Sequence, residues 1–371
     1  LAYASRGRRG VMITASHNPP ADNGIKLFVD GSEYARTEEE RIESRVADGD
    51  NAVDWSGWGD RRRTDPLPAY RRAVTEFADS HGGDASGLSV AVDCGNGMAG
   101  VATPQVLRAL GADVRALEAS VDGYFPARQS KPTPESLSTL RSFVAESDVS
   151  FGIGHDGDAD RIVVVDADGE IVHEDTVLAI LAEHYVRDAT AADPVVVTTP
   201  NASGRIDERV TAAGGRVERV RLGALHEGIA AADGTVVFAA EPWKHVHPDF
   251  GGWIDGVVSA AVVTTLVADR GLAALRDPVT ERPYRKRSVD CPDERKSAVM
   301  DSLESALPDR FPEASVATEH GVRLTFPDDS WTLVRPSGTE PYVRVYAESD
   351  DVDELVADVV ETVEDAVATS A

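Results

Sequence analysis

The chain has 371 residues, of which 64 are acidic and 37 are Lys or Arg, and its formal net charge is −27. This balance argues against nucleic-acid binding, which requires a basic face, and no run of about 18 apolar residues is present that would span a membrane. At roughly 150 residues per domain, the length suggests two or three domains.

The composition also indicates a cellular setting. The two cysteines, Cys94 and Cys291, predict neither a disulfide framework nor a zinc site, which favours a cytoplasmic protein. Acidic residues are spread along the whole chain and lysine is rare, a pattern typical of a high-salt, haloarchaeal-type cytoplasm in which self-repulsion is screened. Because Leu1 is followed so soon by an apolar strand, we expect an N-terminally truncated first domain.

The first predicted unit comprises residues 1–82. Thr37 and Glu40 have the spacing of a capping box, which predicts that a helix begins at Thr37. The other predicted elements are a buried strand, a polar turn, a second strand, a surface loop and a helix, at residues 11–14, 15–23, 24–29, 48–65 and 66–81.

Strands and helices alternate over the next two predicted units, residues 83–185 and 186–282. This βαβ rhythm predicts mostly parallel sheets with helices on both faces. The predicted strands lie at residues 88–93, 113–117, 149–153, 194–198, 216–220 and 235–239. The predicted helices lie at residues 100–110, 134–146 and 255–269. Residues 161–165 and 171–172 read as a hairpin around Asp168 and Gly169.

The last predicted unit, residues 283–371, lacks this rhythm. Its strands are predicted at residues 284–291, 322–326, 331–334 and 343–347, and its helices at residues 293–306 and 351–368. The sequence therefore predicts consecutive three-layer α/β domains followed by a smaller α+β C-terminal domain.

The first candidate site is a serine at the end of a predicted strand. Ser16 lies in the segment Thr-Ala-Ser-His-Asn-Pro-Pro (residues 14–20), whose prolines stiffen the loop. A serine needs an activating partner to act as a nucleophile, and His17 or Lys26 qualifies if the fold brings it close. An ordinary turn uses the same residue types, so this segment alone leaves both interpretations open.

The second candidate site is an acidic loop at residues 154–161. Asp156, Asp158 and Asp160 are spaced so that they can converge on one hard divalent cation such as Mg²⁺. A calcium EF-hand would need Gly and Glu where this chain has Arg161 and Ala167, so that motif is excluded. A solvated acidic loop is the alternative, but repelling carboxylates between two buried strands favour a bound cation.

The third candidate site is the segment Arg-Pro-Ser-Gly-Thr-Glu-Pro at residues 335–341. Arginine, hydroxyl groups and a glycine that frees backbone N–H groups predict a phosphate-binding loop, with a plain turn as the alternative. Its residues are Arg335, Ser337, Gly338, Thr339 and, beyond the segment, Arg344.

A fourth, weaker candidate follows another predicted strand. Glu241, Lys244 and His245 lie in Glu-Pro-Trp-Lys-His-Val-His (residues 241–247) and offer groups that hold sugar hydroxyls. Gly223, also at a strand end, is a weaker candidate still.

Together and in this order, the four segments resemble the α-D-phosphohexomutase superfamily over essentially the whole chain. Its members interconvert the phosphoglucose, phosphomannose or phosphoglucosamine isomers. Three further segments carry the same resemblance: Asn-Gly-Ile-Lys at residues 23–26, Val-Asp-Cys-Gly-Asn-Gly at residues 92–97 and Asp-Gly-Tyr-Phe-Pro at residues 122–126.

The resemblance implies a role for each candidate residue. Ser16 would be the phosphoserine, with His17 beside it, Lys26 as general acid/base and Arg161 assisting transfer. Mg²⁺ would be held by the three aspartates and a phosphoserine oxygen, and the Arg335 segment would bind the distal phosphate. The implied partner is a small phosphosugar, the implied intermediate and activator is a sugar bisphosphate, and the protein would be a monomer or homodimer.

Two departures from the family pattern leave alternatives open. Trp243 and Lys244 stand where the family's sugar loop has Ser and Gly, so the sugar is in doubt and a pentose phosphate is an alternative. The family's first domain has about half its length before the serine loop, so we expect an incomplete sheet with exposed edges. A sugar-phosphate phosphatase and an inactive fragment remain as rivals to a mutase.

Overall fold

The computed structural model describes residues 7–49, 53–338 and 340–370. Their strands form four separate sheets in chain order, which confirms the predicted series of α/β units and a final α+β unit. Within these residues, no helix is both long enough and apolar enough to cross a bilayer.

The first sheet is small and antiparallel. Its strands, in order, are β1 (Arg9–Ile13), β2 (Ile25–Val29) and β3 (Ser32–Glu33). The prediction of a buried strand at residues 11–14 is wrong, because Val11 and Ile13 are 66% and 62% exposed. Helix α1 (Arg36–Ala47) buries none of its residues and so provides no core for this sheet.

The predicted capping box is also wrong. Helix α1 begins at Arg36, after Ala35, and its first residue has no side-chain cap. The Arg36 guanidinium instead lies 3.2 Å from a carboxylate oxygen of Glu40, the residue expected to close the box. The next helix, α2 (Leu67–Asp79), packs against the second and third units.

The second sheet has the strand order β5-β4-β6-β7-β8. Strands β5, β4 and β6 are parallel, β7 is antiparallel to β6, and β8 is antiparallel to β7. Its strands are β4 (Ser89–Asp93), β5 (Asp113–Leu117), β6 (Phe151–His155), β7 (Ile162–Val165) and β8 (Ile171–Val172). Its helices are α3 (Thr103–Ala109) and α4 (Ser138–Ala145), and α5 (Glu174–Asp188), which follows β8, packs mainly on the third unit. The predicted hairpin is therefore present.

The third sheet has the strand order β10-β9-β11-β12. Its strands are β9 (Pro194–Thr198), β10 (Arg216–Arg219), β11 (Thr235–Glu241) and β12 (Lys244–Val246). Its helices are α6 (Gly204–Ala212), α7 (Leu225–Ala231), α8 (Gly256–Arg270) and α9 (Leu272–Arg276). Strand β9 is buried along its whole length, as expected for a central parallel strand.

The fourth sheet is antiparallel throughout, with the order β13-β17-β16-β15-β14. Its strands are β13 (Tyr284–Asp290), β14 (Ser315–Ala317), β15 (Val322–Thr325), β16 (Trp331–Pro336) and β17 (Tyr342–Glu348). Helices α10 (Lys296–Arg310) and α11 (Val352–Thr369) pack on one face and share a core with it.

One large core joins α2 to the second and third units. Helix α8 lies at its centre and is buried on almost every side. The Asp255 carboxylate caps α8 by accepting from the backbone N–H groups of Val257 and Val258, both at 3.1 Å. The Tyr70 hydroxyl of α2 donates to the same carboxylate at 2.8 Å, so the cap also anchors α2.

Candidate active site

The Ser16 loop is held in a strained turn that directs the serine towards the aspartate loop. Ser16 has a φ of 54°, an uncommon backbone conformation for a residue with a side chain. Its N–H donates to the Thr14 hydroxyl at 2.9 Å, and that hydroxyl donates to Asp158 at 2.8 Å. The Ser16 hydroxyl oxygen lies 3.5 Å from an Asp156 carboxylate oxygen and 3.4 Å from His17 Nδ1.

The aspartate loop is held in place by other residues of the second unit. The Ser130 hydroxyl donates to the Ser16 carbonyl at 3.2 Å and accepts from the Gly157 N–H at 3.0 Å, so it joins the two loops. The Arg128 guanidinium donates to the His155 carbonyl at 2.6 Å, at the end of β6. The relative position of serine and carboxylates is therefore built into the fold.

The three aspartates converge as a cation site requires. One ligand oxygen from each of Asp156, Asp158 and Asp160 lies within 4.8 Å of the others. Burial, followed by the charges of neighbouring aspartates, raises the pKa of Asp156 and Asp158. Burial alone would also raise the pKa of Asp160, but the Lys244 ammonium and Arg161 hold it below its usual value.

Two buried oxygens of this loop have no hydrogen-bond partner among the described residues, namely Asp158 Oδ1 and Asp160 Oδ1. Unpartnered buried carboxylate oxygens are costly, and a hard divalent cation is the ligand that satisfies them. The residues present therefore fit the implied metal.

The basic candidates surround the same loop. Arg161 Nε lies 3.5 Å from Asp156 and 3.7 Å from Asp160. Burial, followed by the charges of Arg161 and Lys244, lowers the pKa of His17 to about 4, so this imidazole is neutral near pH 7.

Lys26 is the remaining basic candidate. Its ammonium lies 3.6 Å from Glu33. Lys26 lines a cavity of about 680 Å³ together with Ser16, Asp158 and Asp160. The structure thus brings the serine, the lysine and the carboxylates to one cavity.

Side chains of the segment at residues 241–247 lie in two different environments. Lys244 Nζ lies 2.9 Å from Asp160 Oδ2, and a Glu241 oxygen accepts from the Gly223 N–H at 2.6 Å. His245 is only 1% exposed and lies 3.1 Å from the Ser259 hydroxyl of α8. The structure does not bring His245 to the cleft, because its strand β12 turns that side chain into the core.

The phosphate-loop candidates lie together at the end of β16 and the start of β17. Arg335 and Arg344 face each other across the two strands, and Ser337 and Gly338 follow Arg335. Thr339 lies outside the described residues.

Lys296 supports the phosphate loop, although no motif in the sequence marks it as a site residue. Its ammonium donates to the carbonyl oxygens of Ser337 at 2.7 Å and Glu340 at 2.6 Å. Ser130 was missed as well, because nothing in its local sequence marks its link to Ser16. The rarity of lysine was the available signal for Lys296.

Family models match nearly the whole chain. They describe phosphoglucomutase/phosphomannomutase alpha/beta/alpha domains I, II and III and the C-terminal domain, at residues 1–53, 68–169, 173–283 and 289–366.

Curated relatives agree with these matches. A phosphopentomutase of Thermococcus kodakarensis is 40% identical, over 94% of this chain and 77% of its own length. A protein of Methanopyrus kandleri named "Probable phosphoglucosamine mutase" is 38% identical, over 92% of this chain and 75% of its own length.

Solved structures share the fold. A phosphoglucomutase/phosphomannomutase family protein of Burkholderia thailandensis superposes with a TM-score of 0.82 at 24% identity, covering 98% of this chain and 77% of that one. The N-acetylphosphoglucosamine mutase of Aspergillus fumigatus, in complex with GlcNAc-6P and magnesium, gives 0.64 at 17% identity, with 99% and 91% covered. The chain therefore belongs to the phosphoglucomutase/phosphomannomutase family of phosphosugar mutases.

Proposed function

We propose that this chain is a phosphohexomutase that interconverts 1-phospho and 6-phospho sugars through phospho-Ser16 and a bisphosphorylated intermediate. The observation that carries the proposal is the Ser16 hydroxyl, 3.5 Å from Asp156 in a loop whose other carboxylates have unpartnered oxygens. A phosphoryl group on Ser16 would stand directly over this loop.

Asp156, Asp158 and Asp160, with an oxygen of phospho-Ser16, would hold Mg²⁺. Bound there, Mg²⁺ supplies charge neutralisation for the phosphoryl group. Arg161, within 4 Å of two of these carboxylates, is placed to assist at the same group.

The transfer is a balanced displacement at phosphorus. A sugar hydroxyl attacks the phosphoryl group, its new P–O bond forms as the P–O bond to Ser16 breaks, and its proton passes to the neutral amine form of Lys26. Lys26 and Ser16 line the same cavity, which is consistent with both groups acting on one bound sugar. His17, held neutral beside Ser16, is placed to accept or return a proton at the serine oxygen.

In the second half of the reaction, the phosphoryl group that the substrate carried originally is transferred to Ser16. The bisphosphorylated sugar turns so that its original phosphate faces Ser16, which is rephosphorylated. The distal phosphate is bound in both orientations by Arg335, Ser337, Gly338, Thr339 and Arg344. Glu241, Gly223 and Lys244 would contact sugar hydroxyls, while His245 lies in the core and would support this loop from behind.

A pentose phosphate is the second candidate substrate. The relative from Thermococcus kodakarensis, 40% identical, is named a phosphopentomutase. Lys244, one of the two departures from the family's sugar-loop pattern, pairs with Asp160 at the aspartate loop.

Several further properties follow from the same account. We propose a cytoplasmic protein of halophilic type, a monomer or homodimer, with domains at residues 1–82, 83–185, 186–282 and 283–371. Its activator is a sugar bisphosphate.

The test is a panel of hexose, hexosamine and pentose phosphates at high salt with Mg²⁺. We expect isomerisation of at least one substrate, with little release of inorganic phosphate. Release without isomerisation would identify a phosphatase, and the Asp158→Asn variant, which removes a proposed metal ligand, should abolish either activity.

A further inference from the structure

Four of the five lysines of this chain lie near the proposed cleft or its phosphate loop, and the fifth, Lys131, follows Ser130, which contacts the Ser16 loop. The five lysines are Lys26, Lys131, Lys244, Lys286 and Lys296. Every other basic residue is arginine, so the rarity of lysine makes this placement distinctive. Lys26, Lys244 and Lys296 contact site residues already described, which leaves Lys131 and Lys286 without an assigned role.

Lys286 shares one face of the C-terminal sheet with the phosphate-loop arginines. It pairs in register with Tyr346, and its ammonium lies 5.5 Å from the centre of that ring. The Arg335 guanidinium lies 5.7 Å from the same ring and donates to the Tyr346 hydroxyl at 3.2 Å. Arg344 is the register partner of Arg335, so three cations surround one tyrosine.

This cluster carries uncompensated positive charge. In the part of the chain that the structure describes, no carboxylate lies within 4.0 Å of Lys286, Lys131 or Arg335, whereas Arg344 pairs with Glu340 at 2.9 Å. The pKa of Lys286 is lowered, first by burial and then by the charges of Arg344, Lys131 and Arg335. In a protein of net charge −27, cations left without acidic partners are available to an anionic ligand.

Lys131 links this cluster to the serine loop. It follows Ser130, whose hydroxyl donates to the Ser16 carbonyl at 3.2 Å. Lys131 therefore lies next to a residue that holds the serine loop, and its charge also acts on Lys286.

We propose that Lys286 and Lys131 are phosphate-binding residues, with Lys286 beside Arg335 at the distal phosphate and Lys131, next to Ser130, on the Ser16 side. This inference rests on the proposed mutase function, in which a bisphosphorylated sugar must turn round between two transfers. During that turn both phosphates leave their end positions, and the two lysines hold the negative charge inside the cleft.

The test measures binding of glucose 1,6-bisphosphate to the full chain by calorimetry, at one fixed salt and Mg²⁺ concentration. Lys286→Met and Lys131→Met remove the charge and keep an apolar chain of similar length. We expect each to raise the Kd about tenfold, and the double variant to raise it further. Arg287→Met, the matched control on the opposite face of β13, should change it less than about twofold. Lys286→Arg should restore most of the binding.

A second readout follows the intermediate itself. During turnover, Lys131→Met should release more sugar bisphosphate per isomerisation and require more added bisphosphate to stay active. If both lysine variants bind the bisphosphate as tightly as the original chain, or if the original chain does not bind it, the inference is overturned. If the original chain binds it and the variants do not, but no substrate is isomerised, the lysine assignment stands and the proposed mutase function fails.

Discussion

Lys244 Nζ lies 2.9 Å from Asp160 Oδ2, and this ion pair joins the turn between β11 and β12 to the aspartate loop. The backbones of Arg161 and Lys244 also form a β-bridge at this point. The third unit therefore contacts the aspartate loop of the second. The Lys244 ammonium therefore offsets part of the negative charge of this loop.

Lys244→Met should bind a divalent cation more tightly than the original chain. The ammonium competes for Asp160 and repels a cation, so its removal should lower the Kd for Mn²⁺ about tenfold, as measured by calorimetry. Arg221→Met, which removes an exposed charge outside the aspartate loop, serves as the control. Unchanged or weaker Mn²⁺ binding in Lys244→Met would show that the ion pair organises the carboxylates instead of competing for them.

Gly97→Ala should displace the aspartate loop. A Cβ at residue 97 would lie 2.6 Å from the Gly157 carbonyl oxygen and 3.0 Å from the Asp156 carbonyl oxygen, and neither backbone can move without shifting the carboxylates. We expect a loss of about 1–3 kcal/mol in stability and weaker Mn²⁺ binding. Gly123→Ala, where a Cβ meets nothing within 4 Å, is the matched control and should behave like the original chain.

Lys296→Met should weaken substrate binding more than it slows turnover. Its ammonium fixes the carbonyl oxygens of Ser337 and Glu340, so its loss should loosen the phosphate loop and raise KM about tenfold, with kcat changed less than about threefold. Steady-state kinetics on the substrate found in the panel measure this split. The neighbouring exposed Arg295→Met is the control, and equal effects of the two variants on KM would contradict the assigned role.

Asp175→Asn should change how stability depends on pH. Asp175 is fully buried, and burial, followed by the charge of Glu174, raises its pKa to about 8. The folded chain therefore keeps a proton that the unfolded chain releases above about pH 4. The contribution of Asp175 to the free energy of unfolding thus falls by about 1.4 kcal/mol per pH unit between about pH 4 and pH 8.

Asparagine removes this contribution. The urea midpoint of Asp175→Asn should increase relative to that of the original chain as the pH rises through that range. The difference between the two midpoints should become constant above about pH 8. Asp168→Asn, on an exposed turn, should show no such trend. Parallel pH profiles for Asp175→Asn and the original chain would mean that Asp175 is ionised in the fold.

Local sequence was sufficient to predict where the Ser16 loop and the aspartate loop lie relative to their strands. Ser16 and Asp156 each follow a strand, and a short loop after a strand leaves little freedom in where its residues lie. Their meeting at 3.5 Å rests on that placement and on Ser130, 114 residues from Ser16. Local patterns carry no information about a contact of that kind.

Long-range packing explains the predictions that failed. His245 was assigned to the sugar on its motif position, yet β12 directs it towards Ser259 of α8. Val11 was expected to be buried because it is apolar, but α1 offers it no core. Strand β14 was not predicted, because three exposed residues give no alternating pattern.

The central claim, that Ser16 carries the transferred phosphoryl group, is tested most directly by intact-mass and peptide analysis after incubation with glucose 1,6-bisphosphate and Mg²⁺. The account predicts one phosphate per chain, located on Ser16, absent from Ser16→Ala and retained in the exposed control Ser305→Ala. Isomerisation by a chain that carries no phosphate, or a phosphate that persists in Ser16→Ala, would contradict it.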